Sequence, residues 1–218
     1  MMDEPSGHGI TAADRNVPPG PVYSVGHSNH QISDFIDLLH RHHIELVIDI
    51  RSQPASRHAP QFNRAALKQR MREARVGYLF MGNELGGRPP EPEFYDSEGR
   101  VLYGAVAGSP RFRLGIRRVM DLSARKRVAL VCTEEDPTSC HRRLLVGRVL
   151  MGAGLTLGHI RRDGRLELEA SDPLTPTAVQ PDLFGGQQEA AWRSSQSVSP
   201  RRQPQHSLRI SDKQEFDG

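Results

Sequence analysis

Through the first 170 residues, short apolar runs alternate with segments in which apolar residues recur every three or four positions. "VYSVG" (Val22 to Gly26) is a brief β-favouring run. The "ISDFIDLLHRHHI" that follows sets Phe35, Ile36, Leu38 and Leu39 on one helical face, with Ser33 in a capping position. "ELVIDI" (Glu45 to Ile50) is almost continuously apolar, as a strand covered on both sides must be. Beyond Pro54 and Pro60, Asn63 precedes the helical stretch "RAALKQRMREAR", and "GYLFM" from Gly77 reads as a third strand. The next stretch, "GNELGGRPPEPEFYDSEGRVLYGAVAGS", carries so much Gly and Pro that a long, lid-like loop is predicted rather than regular structure. Ser109 and Pro110 then open a helix reaching about Lys126, and "RVALVC" ends a fourth strand at Cys132. Asp136 and Pro137 are placed to start another helix, which Gly154 ends, and "LTLGHI" with "RLELEA" around Asp163-Gly164 reads as a closing hairpin.

Alternation of strand and helix over this length predicts an α/β fold: an open, mostly parallel sheet with helices on both faces, a Rossmann-like three-layer arrangement. The chain divides into a disordered leader at 1–20, one α/β domain at 21–170, and a tail at 171–218. The tail's Pro, Gln, Ser and Arg content, broken by a lone Trp192, predicts disorder. A chain of 218 residues supports one such domain and no second of similar size. No apolar run is long enough to span a bilayer and the leader has no secretory pattern, so no membrane association is expected. Two cysteines are too few for a secreted disulfide framework, and a cytoplasmic location is expected.

Net charge changes the picture only locally. The whole chain carries +3, yet seven of the residues from Arg51 to Arg75 are basic and one, Glu73, is acidic. Within that segment Arg64, Lys68, Arg72 and Arg75 follow at spacings of 4, 4 and 3, forming one stripe beside the apolar Leu67, Met71 and Ala74. Such a stripe suits a nucleic-acid backbone as partner.

Open parallel sheets bind ligands beyond the carboxyl ends of their strands. Each strand exit here carries chemistry: His27 and Asn29 after the first, Asp49 and Arg51 at the second, Asn83, Glu84 and Arg88 after the third, and "CTEEDPTSCHRR" after the fourth. Cys140 is expected in the first turn of its helix, where free amides and the nearby Arg142 and Arg143 favour a thiolate while Glu134, Glu135 and Asp136 oppose it. The same helix start, with Arg142 beside it, would receive a phosphate. His27 and His141 are of the right type for general acid or base work, with Asp49 orienting one of them or holding Arg51. The opposite reading of His27 is a turn residue bonded to a neighbouring carbonyl. Glu84 and Arg88 can pair as a loop clamp. Cys132, at the end of a buried strand, reads as a small packing residue. No metal and no cofactor is expected, because the cysteines stand 140 − 132 = 8 residues apart, wider than usual zinc spacings, and no second cysteine pair exists.

The blocks "VYSVGHSNHQISDFIDLLHRHHIELVIDIRSQPASRHAPQFN", "ELGGRP" and "VALVCTEEDPTSCHRRLLVGRVL" resemble, in order and spacing, the signature of the family called domain of unknown function 488. The resemblance runs from about Val22 to Arg162. It marks Gly26, His27, Ser28, Asp49, Arg51, Pro54, Asn63, Glu84, Leu85, Gly86, Gly87, Arg88, Cys132, Glu134, Cys140, His141 and Arg142 as motif positions. It implies a site but no settled reaction. A second likeness, of "VIDIRS" and "VALVC" to rhodanese-type domains, departs where Cys132 meets Arg142 only after ten residues, against about six in those loops; sulfur transfer is a minor alternative. In the tail, Gln180, Pro181, Asp182, Leu183 and Phe184 resemble the short peptide by which bacterial polymerases and mismatch-repair proteins bind the sliding clamp, with Pro181 where Leu is usual.

Two functional readings remain open. In the first, His27, Asp49, Arg51, Glu84, Glu134, Cys140, His141 and Arg142 surround one cleft that binds, and as a hydrolase or transferase acts on, a phosphate- or ribose-bearing nucleotide or nucleic acid. Gln180, Leu183 and Phe184 would recruit the chain to the sliding clamp in replication or repair. In the second, the protein is a non-catalytic nucleic-acid-binding or adaptor protein, and the same clusters hold loops together.

Overall fold

The structure, a computed structural model, describes residues 21–170, 192–198 and 200. The expectations for the leader at 1–20 and for the clamp-like peptide at 180–184 lie outside the described residues, as do those for the rest of 171–191, for 199 and for 201–218.

Five strands run parallel: β1 (Val22–Gly26), β2 (Leu46–Asp49), β3 (Gly77–Phe80), β4 (Val128–Cys132) and β5 (Leu157–Ile160). A short β6 (Leu166–Leu168) pairs antiparallel with β5, completing a six-stranded sheet of order β3-β2-β4-β1-β5-β6. The expected α/β architecture is therefore present, hairpin included. Side-chain alternation along the strands divides the core in two. Tyr23, Val25, Val47, Ala129 and Val131 face the helices α1 (Ile32–Arg41) and α2 (Arg64–Glu73). Val22, Leu46, Ile48, Val128 and Leu130 face α3 (Gly82–Leu85), α4 (Tyr103–Gly108), α5 (Pro110–Ser123) and α6 (Arg148–Gly152). Both faces being covered explains why the strands read as continuous apolar runs. The order places β4 between β2 and β1, so the exits of these three strands, which carry most of the candidate residues, lie side by side.

Several local expectations are corrected. Helix α1 begins at Ile32 with Gln31 as its N-cap, and Ser33 donates to Asp34 rather than capping. Asn63 is the N-cap of α2 by position, but its Oδ1 accepts from the Ser56 amide at 2.6 Å and so ties down the preceding loop. Ser109 does cap α5, accepting from the Phe112 amide. The Gly- and Pro-rich stretch before it is not a bare loop. It contains α3, α4 and a single 3₁₀ turn (Pro92–Phe94), because Leu85, Tyr103 and Val106 bury themselves against the sheet and tertiary packing overrides low helix propensity. The helix after β4 starts later than Asp136-Pro137 suggests. Asp136 accepts from the Thr138 amide to make a turn, and helical structure begins beyond Cys140, with a π-helical segment at Arg142–Gly147 that runs into α6.

Part of the tail expected to be disordered packs on the domain. Trp192 donates its indole N–H to the Leu144 carbonyl at 2.8 Å and lies beneath the Arg148 guanidinium. Arg193 bridges to Leu102 and pairs with Asp96, the Ser194 amide donates to the Val101 carbonyl, and Val198 reaches Gly99. The composition of the tail hid this strap because its residues are mostly polar, and most of its bonds are made to main chain.

Among the described residues no helix is long and apolar enough to cross a membrane.

Candidate functional site

Beyond the carboxyl ends of β2 and β4 lies a cleft of about 480 Å³. Its walls come from the β2 exit (Arg51, Ser52, Gln53), the loop after α3 (Gly87, Arg88), Tyr103 of α4, the β4 exit (Cys132, Thr133, Glu134), Ser139 with His141, and the strap (Ser194, Ser195, Gln196, Val198).

At its back, Arg51 is fixed in a buried network. Its Nε donates to Asp49 Oδ1 at 2.8 Å and its Nη2 to Asp49 Oδ2 at 2.6 Å, while Tyr78 donates its hydroxyl to Asp49 Oδ2 at 2.7 Å. Asp49 is fully buried and Arg51 nearly so, so the bidentate pairing compensates two desolvated charges. The remaining Arg51 Nη1 donates to His27 Nε2 at 2.9 Å. A guanidinium has no acceptor, so Nε2 must carry the lone pair and Nδ1 the proton, which goes to the Ser28 carbonyl at 3.0 Å. Burial first, and then the Arg51 charge, lower the His27 pKa from 6.5 to about 4. The ring stacks on Phe62 at 4.3 Å between centroids. The structure thus favours the bonded-turn reading of His27 over acid–base work: it is buried behind Arg51, its pKa is depressed, and it does not line the cleft.

At the other side of the cleft, three groups that the sequence separates come together. Cys132, at the end of β4, has its Sγ 3.7 Å from His141 Nδ1, and Cys140 Sγ is 3.9 Å from the same atom. His141 Nε2 is 3.2 Å from the Ile50 carbonyl, which can only accept, so Nε2 carries a proton and Nδ1 is the atom presented to both sulfurs. The roles expected of the two cysteines are reversed. A hydrogen bond from Cys140, aided by His141 and Arg142, holds the Cys132 thiol well below its usual range despite burial. Cys140, which donates that bond, is pushed up by it and by burial. Burial pulls His141 down, but the neighbouring Cys132 outweighs it and leaves the imidazole raised. Cys132, read from sequence as a packing residue, lines the cleft; Cys140 lies behind it.

Arg142 is completely buried and donates to the carbonyl oxygens of Glu134 and Glu135. It braces the 133–136 loop from beneath, does not line the cleft, and is not available as the phosphate ligand expected at a helix start. The same orientation removes the arginine that a rhodanese-type loop would turn toward a thiolate. Arg143 points elsewhere again, pairing with Glu169, which also accepts from His159. Two glycines make the packing possible. A Cβ on Gly26 would lie 1.7 Å from the Glu134 carbonyl oxygen, and one on Gly87 would lie 2.6 Å from the His141 ring.

The expected single cleft therefore separates into parts. Arg51, Glu134 and His141 line it; Asp49 and His27 stand behind Arg51; Cys140 and Arg142 are buried beneath the loop. Glu84 faces a second cavity of about 290 Å³, with Asn83, Arg88 and Arg111, and makes no ion pair with Arg88 among the described residues. Arg64, Lys68 and Arg72 are exposed along α2, with Leu67 and Met71 buried on its inner side, while Arg75, expected as the fourth member of the stripe, is exposed just past the helix end with φ 59°. Sequence reasoning missed Cys132, Tyr103 and the strap as lining groups. The one signal for the strap was Trp192, a large apolar side chain in an otherwise polar tail.

A model of the family described as domain of unknown function DUF488 matches residues 31–149, more than half of the chain. The chain belongs to the DUF488 family. Asp49, Arg51, Tyr78, Gly87, Cys132, Cys140 and His141 all fall within the matched residues, so the Asp49–Arg51 pair and the cysteine–histidine cluster belong to the matched segment, while His27 and the strap lie outside it. No curated protein and no solved structure matches the chain.

Proposed function

We propose that this DUF488 domain binds a phosphate- or ribose-bearing ligand, a nucleotide or a segment of nucleic acid, in the cleft at the carboxyl edge of its sheet. The observation that carries this reading is the chemistry of the cleft wall. Two guanidinium groups, Arg51 and the exposed Arg88, share the wall with serine and threonine hydroxyls, glutamine amides, the Tyr103 phenol and the Cys132–His141 pair, with Glu134 as the one carboxylate. Planar, permanently charged donors with neutral hydroxyls between them suit phosphate and ribose oxygens. Arg51 is held rigid by Asp49, so little side-chain entropy is lost when a ligand docks. The exposed stripe on α2 supplies a track for a nucleic-acid backbone, and the clamp-like peptide at 180–184 supplies recruitment to replication or repair.

Calorimetric titration with a nucleoside monophosphate, a nucleoside diphosphate and a short single-stranded oligonucleotide tests the reading. Binding of at least one is expected, with Arg88→Glu weakening it about tenfold or more, equivalent to about 1.4 kcal/mol. Absence of binding by all three, or binding indifferent to Arg88→Glu, would leave the adaptor reading, in which the cleft clusters only hold loops.

A further inference from the structure

We infer that Cys132, Cys140 and His141 form a zinc site whose remaining coordination position opens into the cleft. Their three ligand atoms, Cys132 Sγ, Cys140 Sγ and His141 Nδ1, all lie within 4.8 Å of one another. Ligands about 2.3 Å (sulfur) and about 2.1 Å (nitrogen) from a shared tetrahedral ion stand about 3.6 Å apart. The sulfur–nitrogen separations of 3.7 and 3.9 Å are close to that edge. Two thiolates and an imidazole are a donor set for zinc and other borderline or soft ions, and a poor one for magnesium or calcium.

The setting of His141 is an independent observation. Imidazoles that bind metal through one nitrogen commonly donate from the other to a carboxylate or main-chain carbonyl, which fixes the tautomer and aims the lone pair. His141 does this: Nε2 bonds the Ile50 carbonyl, so in the neutral ring Nδ1 carries its lone pair between the two sulfurs. Gly87 leaves room for the ring in that orientation, where any side chain would meet it. The eight-residue cysteine spacing, which argued against a metal in the sequence, loses its force in the fold. The turn at 136–139 folds back over the end of β4 and brings Cys140 to Cys132 without a zinc-knuckle loop.

Charge and access complete the site. Two thiolates neutralise the divalent ion, their protons passing to solvent on binding. Cys132 and His141 line the cleft, so a fourth ligand arrives from that side: water, or a phosphate oxygen of a bound ligand. Three protein donors with an open position is the pattern of catalytic rather than purely structural zinc. The site stands whether or not the cleft takes a phosphate ligand, because its test reads the protein alone.

The full chain is purified in reductant, loaded with Zn²⁺, desalted and measured by elemental analysis, and in parallel loaded with Co²⁺ and examined by absorption. About one zinc per chain and a thiolate-to-cobalt charge-transfer band are expected. Cys132→Ser, Cys140→Ser and His141→Gln should each lose the ion, while Arg88→Glu, which tests the ligand reading, should keep it. Circular dichroism identifies any variant that fails to fold, and the wild-type cobalt spectrum decides without variants. No retained zinc together with no charge-transfer band in the wild type overturns the site, as does an ion that survives all three ligand substitutions. Cysteines recovered as a Cys132–Cys140 disulfide, in a chain that binds no zinc once reduced, would likewise overturn it in favour of a redox pair.

Discussion

Arg51 donates to His27 Nε2 at 2.9 Å, and this contact fixes the protonation state of the histidine as well as its position. A cation cannot share a hydrogen bond with a protonated imidazole nitrogen, so folding and protonation of His27 oppose each other. The folded pKa is depressed to about 4 from 6.5, so between these values the unfolded chain binds the proton and the folded one does not. Stability is therefore fully present above about pH 6.5 and is lost as pH falls toward 4, by up to about 3 kcal/mol. Urea unfolding at pH 7 and pH 4.5 should show this loss, and His27→Gln should reduce the slope. An unchanged slope in the variant would show that His27 is charged in the fold.

Removing Asp49 should be among the costliest single changes in the domain. Asp49→Asn leaves Arg51 buried without its counter-charge and with at most one of its two side-chain bonds to residue 49, and a loss of about 3–5 kcal/mol is expected. Tyr78→Phe leaves the ion pair intact and removes one hydrogen bond, for which about 1 kcal/mol is expected. Chemical denaturation distinguishes the two; equal effects would mean that Arg51 finds another partner.

The two thiols should differ in reactivity. In metal-free protein Cys132 faces the cleft and is held toward the thiolate by Cys140 and His141, whereas Cys140 is buried with a raised pKa. Limited alkylation near neutral pH, followed by peptide mass spectrometry, should label Cys132 first. Prior labelling of Cys140 would reverse the assignment.

The α2 stripe is tested through salt. Each phosphate contact contributes roughly one power of salt to the binding constant, so Lys68→Glu with Arg72→Glu should weaken oligonucleotide binding and flatten its salt dependence by about two such powers. Unchanged affinity and slope would make the stripe an ordinary solvated helix face.

Recruitment through the tail is tested by titrating the intact chain against a bacterial sliding clamp. Micromolar-range binding is expected, since a peptide ordered on docking offsets part of its contact energy. Leu183→Ala with Phe184→Ala should abolish binding, and a peptide spanning Val179 to Gly186 should retain it. A double variant that binds as well as the parent removes the link to replication and repair.

The sequence by itself determined the architecture, because apolar periodicity is a local signal. The apolar runs in "LVID", up to Asp49, and "VALVC" required strands covered on both faces, and Leu67 with Met71 set the buried side of α2, leaving the basic stripe outside. It also placed chemistry at the strand exits. Only the tertiary structure decided what that chemistry is, since the deciding contacts join residues far apart in the chain. His27 lost its acid–base character to Arg51, 24 residues away, and to burial against Phe62. Arg142 is next to His141 in sequence, yet its guanidinium turns to the loop carbonyls while the His141 ring turns to the cleft. Cys132 read as packing because a strand-end cysteine carries no local mark of function; its partners arrive through the turn at 136–139 and the Ile50 carbonyl, 91 residues from His141. The strap from Trp192 to Val198 escaped notice for the same reason, its order depending on hydrogen bonds to the main chain of Gly99, Val101 and Tyr103, which no composition of its own could announce.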